Sequence, residues 1–136
     1  GFVMRYNGHN VLAIVVAAIA IWAIGFLIYV VLFSEQWMAW TGMTDAEANA
    51  DNARMPFMVV MPFLQAIGLS LAIKWRNASG LMGGLMTGVL MAVFFSIAAR
   101  MYGWVYSFEP NELFGLDCMH YLLTHAVAGA ILGAWK

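Results

Sequence analysis

Residues Val11 to Phe33 form a run of 23 amino acids without a single charge. At about 1.5 Å per residue a helix over this run spans roughly 35 Å, enough to cross a hydrocarbon layer about 30 Å thick with some tilt. A signal peptide has an apolar region of about 7–15 residues and a small-residue cleavage site. Here the run is longer and closes on Tyr29, Phe33, Glu35 and Trp37, which predicts a retained helix. The numbering opens at Gly1 rather than Met, compatible with a trimmed or processed start.

Composition extends the argument to the whole chain. Of 136 residues, 64% are hydrophobic and 10% charged, and the mean hydropathy is +0.82. A soluble fold of this size cannot bury so much apolar surface, because small domains keep a large share of their surface in contact with solvent. The expected solvent is lipid. The net charge of −1 argues against a nucleic-acid partner. One cysteine, Cys118, cannot form an internal disulfide and is expected as a small buried residue.

Three further apolar stretches follow the first. The spans are expected at about 11–33, 55–73, 80–101 and 112–135, in a single all-α domain that is a four-transmembrane-helix bundle. Gly1 to Asn10 is a polar lead-in. Between the first two spans, Trp37 and Trp40 suit the membrane interface, as do Trp104 and Trp135 further on. Thr44 and Glu47 carry the spacing of a capping box, so a short surface helix over about 44–54 competes with a plain loop. In the second span Pro56 fits a first turn and Pro62 predicts a kink. Gln65 and Ser70 are its polar side chains. Lys74 to Ser79 reads as a tight basic turn, and Tyr102 to Asn111 as an aromatic-rich loop in which Asn111 caps the last helix.

Small residues recur every fourth position in the third span: Gly80, Gly84, Gly88, Ala92 and Ser96, then Arg100. A helix ridge stripped of bulk lets a neighbouring backbone approach closely. Gly129 and Gly133 do the same near the end of the last span, and Ala13, Ala17 and Gly25 in the first.

The last span carries the chemistry. Stepping about 100° per residue from Asp117 places His120, Tyr121, Thr124 and His125 within about 80° of it, on one side of the helix. Met119, Leu122 and Leu123 take the other side, with Ala126 and Ala130. A polar stripe in a membrane must face protein or water. Four spans put both termini on one side, together with Arg5, Lys74, Arg76 and Lys136. The opposite side has Arg54 and Arg100 against Glu35, Asp45, Glu47, Asp51, Glu109 and Glu112. The positive-inside rule then places the termini in the cytoplasm. Arg100 and Asp117 fall at similar depth, and an ion pair between them, direct or through water, is expected. His120 and Thr124 lie deeper, within reach of Gln65.

Three uses of this stripe stay open: a satisfied network that fixes helix register, a relay or binding site for a proton, cation or small polar substrate, and single-histidine ligation of haem or a pigment by His120 or His125. The two histidines lie roughly 140° apart on the helix and do not clasp one ion together. No CxxCH or HExxH motif and no nucleophile–base–orienter set is visible. Neither a catalytic residue, nor a metal, nor a cofactor is expected.

The stretch NVLAIVVAAIAIWAIGFLIYVVLF followed by EQWMAWTGMT, with Trp37, Thr41, Gly42 and Thr44, and the ending HYLLTHAVAGAILGAW, with His120 and the run Gly129 to Trp135, resemble a bacterial membrane-protein family known as domain of unknown function 1761. The likeness covers nearly the whole chain and includes the four-span layout with an acidic first loop. Cys118 and Met119 stand before His120 where the family more often has Gly-Tyr. The resemblance implies an integral membrane protein, of a bacterial inner membrane, and no particular activity. The expected role is a structural or accessory one, in contact with membrane lipids and docked through small-residue ridges and aromatic rims against itself or a larger membrane complex. A small transporter or channel using the Asp117–His120 stripe is the alternative.

Overall fold

The structure, a computed structural model, describes residues 5, 6, 8–48 and 53–135. It is almost wholly helical. The polar lead-in forms a minimal hairpin, β1 (Arg5–Tyr6) paired antiparallel with β2 (His9–Asn10), a departure from the all-α expectation. Gly8 has a φ of +81°, a left-handed conformation that glycine adopts without steric cost.

Helix α1 (Val11–Phe26) is capped by Asn10, whose side chain accepts from the Ala13 amide. It continues as a π-helical segment, Leu27–Leu32. Then come α2 (Ser34–Thr41) and α3 (Asp45–Ala48). Thr44 and Glu47 exchange the two reciprocal bonds of a capping box, 3.0 and 3.2 Å long. Residues 49–52 of the surface helix expected over 44–54 lie outside the described residues.

Helix α4 (Phe57–Arg76) starts directly after Pro56 and contains Pro62. It runs past the expected end: Lys74 to Arg76 are helical rather than part of the turn. Asn77, at a φ of 57°, ends it, since asparagine tolerates the left-handed region. Arg76 donates to Thr87 Oγ1 at 2.8 Å and ties the end of α4 to the next helix.

Helix α5 (Gly80–Met91), a second π-helical segment (Ala92–Ile97) and α6 (Ala98–Tyr106) form one continuous rod. The expected loop from Tyr102 is therefore helical as far as Tyr106. Side-chain contacts hold this added turn: Trp104 stacks on Phe114 at 4.8 Å between ring centroids and donates to Asn111 Oδ1 at 2.8 Å. Asn111 is consequently not the cap of α7 (Asn111–Ala134); it is the first helical residue, after Pro110.

Three of these rods are long and apolar enough to cross a membrane: Val11–Leu32, Phe57–Arg76 and Gly80–Tyr106. The fourth, α7, is 24 residues long. Asp117, His120, Tyr121, Thr124 and His125 dilute its apolar content, and it is not among the three. It sits at the centre instead, packed against α1, α4 and α5. The core is built of Ala13, Ala17 and Ile21 from α1, Ala66, Leu69 and Ile73 from α4, and Ala128 and Leu132 from α7.

The α5–α7 contact explains the glycine ridge. A β-carbon at Gly84 would collide with the Gly129 carbonyl and lie 2.8 Å from the Gly133 Cα. One at Gly88 would lie 2.6 Å from the His125 carbonyl carbon. Substitution at Gly129 or Gly133 meets the Gly84 and Gly80 carbonyls in return. Gly84, Gly88 and Ala92 are buried within the chain. The ridge expected to dock a partner is occupied by the chain's own last helix, because two matching small-residue ridges within one chain meet first.

Candidate functional site

The polar stripe of α7 faces inward. Thr124 and His125 are buried and Met119, Leu122 and Leu123 exposed. Cys118, expected as buried, is half-buried beside the stripe.

At the α6–α7 end of the bundle Asp117 receives two partners. Arg100 Nε donates to Asp117 Oδ2 at 2.8 Å. Tyr29, from the π-helical continuation of α1, donates its hydroxyl to Oδ1. The two remaining arms of the Arg100 guanidinium grip Glu109, one of them at 3.1 Å. Gly103 makes room for this fork: a β-carbon there would lie 2.7 Å from Arg100 Nη1. The side chains of Arg100 and Asp117 are 19% and 13% exposed, so the pair is shielded without being sealed. Tyr29 and Arg100 thus supply a donor to each of the two carboxylate oxygens of Asp117.

One turn deeper, His120 packs edge-on against Tyr29, with ring centroids 5.0 Å apart, and lies 5.4 Å from the Tyr121 ring. Gly25 leaves the space: a β-carbon there would sit 3.3 Å from His120 Nε2. Two turns below Asp117, His125 is held at both ring nitrogens. Ser96 Oγ lies 2.7 Å from Nε2, and Thr124 Oγ1 lies 3.1 Å from Nδ1 while donating to the Tyr121 carbonyl. The donor order consistent with that last bond runs Ser96 to His125 to Thr124 to the Tyr121 carbonyl, because the Thr124 hydroxyl has one proton only.

Gln65, expected to reach the stripe, makes no hydrogen bond with it among the described residues. The α4 face that meets α1 and α7 centres on Ala66, Leu69 and Ile73, and Gln65 falls at the margin of that face. Ser70 does bond, but with His9 Nδ1 at 2.7 Å, at the opposite end of the bundle. Trp37 lies against Tyr29, and the carbonyl of Trp135 accepts from Asn10. Trp40 is half-buried on α2.

Three participants escaped the sequence reading. Tyr29 was one aromatic in an apolar run, and only the π-helical turn aims it at Asp117. Ser96 has the spacing of a packing residue in the sequence, whereas the second π-helical segment presents it to His125. Such segments recur at functional positions because they redirect side chains from the regular helical face. Glu109 was legible as a nearby acid but not as a partner of Arg100. Among the described residues no buried side-chain nitrogen or oxygen lacks a hydrogen-bond partner, and no group of three His, Cys, Asp or Glu is placed to hold a metal.

Inward polar groups, outward apolar faces and three rods of membrane-crossing length define a helical protein of the membrane-associated class. Residues 12–133 match the model of the family described as Protein of unknown function (DUF1761), and the chain belongs to that family. No curated protein and no solved structure matches it.

Proposed function

We propose that this chain is a four-span integral membrane protein, with α7 as the fourth span and both termini in the cytoplasm, resident in a bacterial inner membrane. Its role is structural or accessory: it packs against itself or into a larger membrane complex and performs no catalysis. The observation that carries the reading is the closure of the interior network. Tyr29, Arg100, Glu109 and Asp117 satisfy one another, as do Ser96, Thr124 and His125. Networks of this kind in membrane bundles fix register, since the alternative is an unpaired polar group in hydrocarbon.

With the glycine ridge occupied inside the chain, contact with a partner falls to the outer surface. Phe94, Phe95, Tyr102 and Tyr106 are exposed along the α5–α6 rod. The full chain extracted in mild detergent is expected to run as a dimer or larger complex in light scattering and native mass spectrometry. A monomer without companions overturns the accessory role.

A second reading is transport of a proton or small cation along the Asp117–His120 stripe. The π-helical delivery of Tyr29 and Ser96 to that stripe favours it. It predicts ion flux in proteoliposomes that collapses in Asp117→Asn and His120→Ala. Absence of flux, or flux untouched by both substitutions, removes it.

A further inference from the structure

The Asp117 end of the stripe is closed by one guanidinium. Arg100 gives its Nε to Asp117 and its two terminal nitrogens to Glu109. Asp117 is fixed within α7, whereas Glu109 belongs to the short connection between α6 and α7. Side-chain exposure falls from 26% at Glu109 to 19% at Arg100 and 13% at Asp117. Arg100 therefore stands between the outside of the bundle and the carboxylate at which the stripe begins. Tyr29 and His120 follow behind that carboxylate.

The connection, residues 107–110, is tied down at one point. Among the described residues its only side-chain hydrogen bonds are those of Glu109 to Arg100. Phe108 has a φ of 52°, in the left-handed region that is sterically costly for a bulky side chain. Its side chain is 90% exposed, so burial does not offset that cost. Beside Glu109 a cavity of about 310 Å³, lined by Trp104, Val105, Phe108, Glu109 and Asn111, leaves room for a released carboxylate. Gly103 sets the fit of the fork. A β-carbon there would collide with Glu109 Oε1 and lie 2.7 Å from Arg100 Nη1.

We propose that the Arg100–Glu109 fork is a latch. Closed, it shields Asp117 and His120; released, it lets residues 107–110 swing away and opens the stripe to the aqueous phase at this end. Arg100 then keeps one bond instead of three and can yield Asp117 to an entering cation. Relief of the Phe108 backbone favours release and the charge-assisted fork favours closure, the opposed terms that a two-state element requires. The latch rests on the second reading above, in which the stripe carries a proton or small cation, and supplies its gate.

The full chain in lipid nanodiscs carries its own reporter, Cys118, half-buried beside Asp117. Its modification by a small charged thiosulfonate is timed by mass spectrometry in wild type, Glu109→Gln, Gly103→Ala and Glu112→Gln, each well below its melting temperature. Glu109→Gln removes the charge from the fork. Gly103→Ala pushes the fork apart without changing any charge, and alanine favours helix. Both are expected to react at least about tenfold faster than wild type, the change in a local opening equilibrium that loss of one charge-assisted bond brings. Glu112→Gln removes the same charge outside the fork and is expected to react like wild type. Wild-type rates in both fork variants, or equal acceleration in Glu112→Gln, overturn the latch. Proton flux in proteoliposomes of the same variants judges the transport reading separately. Faster flux in the fork variants that vanishes on adding Asp117→Asn supports both. Accelerated labelling without flux in any variant keeps the latch and removes proton transport.

Discussion

Asp117 is the residue on which the interior depends. It accepts from Tyr29 and from Arg100, and these come from two different rods. Removing its charge leaves Arg100 with Glu109 alone. Asp117→Asn is therefore expected to lower stability by about 2 kcal/mol, the scale of a hydrogen bond to a charged group, read as a drop in melting temperature in detergent. Tyr29→Phe takes away one donor and is expected to cost about 1–2 kcal/mol. In a double-mutant cycle the two losses are expected to be less than additive, because both remove the same bond. Full additivity would mean that Tyr29 and Asp117 do not interact.

Among the elements, the α5–α7 seam is the tightest. Gly88 admits no side chain, since a β-carbon there meets the His125 backbone, whereas Gly115 has open space around it on the same last helix. Gly88→Ala is expected to destabilise by about 1–3 kcal/mol through overpacking. Gly115→Ala is expected to be neutral or to gain up to about 1 kcal/mol, because alanine favours helix. Matching melting curves for the two variants would contradict the seam. Much of this seam is legible in the sequence: the four-residue spacing from Gly80 to Ser96 marks a face, and Gly129 with Gly133 marks its counterpart. What the spacing leaves open is whether the counterpart is in the same chain. The inward side of α7 is legible too, because a 100° advance per residue separates Asp117 and His125 from Met119 and Leu122. Tyr29 and Ser96 were not readable as partners of the stripe, because a π-helical turn shifts a side chain off the regular face and leaves no mark in hydropathy. The helical turn over Tyr102–Tyr106 was hidden for another reason: its support, Trp104 on Phe114, comes from across the bundle.

For the molecule as a whole, the arrangement of polarity is the reverse of a soluble bundle. Ile19, Val31, Val59, Leu64, Phe94 and Phe95 are exposed, while Thr87, Thr124 and His125 are buried. An apolar exterior of this extent suits acyl chains and would be a liability in water. The least apolar long helix, α7, is the one most enclosed by the others, so the outward apolar faces belong mainly to α1, α4 and the α5–α6 rod. Whether α7 also crosses is tested by labelling in a Cys118→Ser background, with a cysteine placed at Glu112 or at Ala134 and a membrane-impermeant maleimide added to sealed, uniformly oriented vesicles. Four crossings predict that one of the two positions reacts at once and the other only after permeabilisation. Reaction of both from the same side would contradict it.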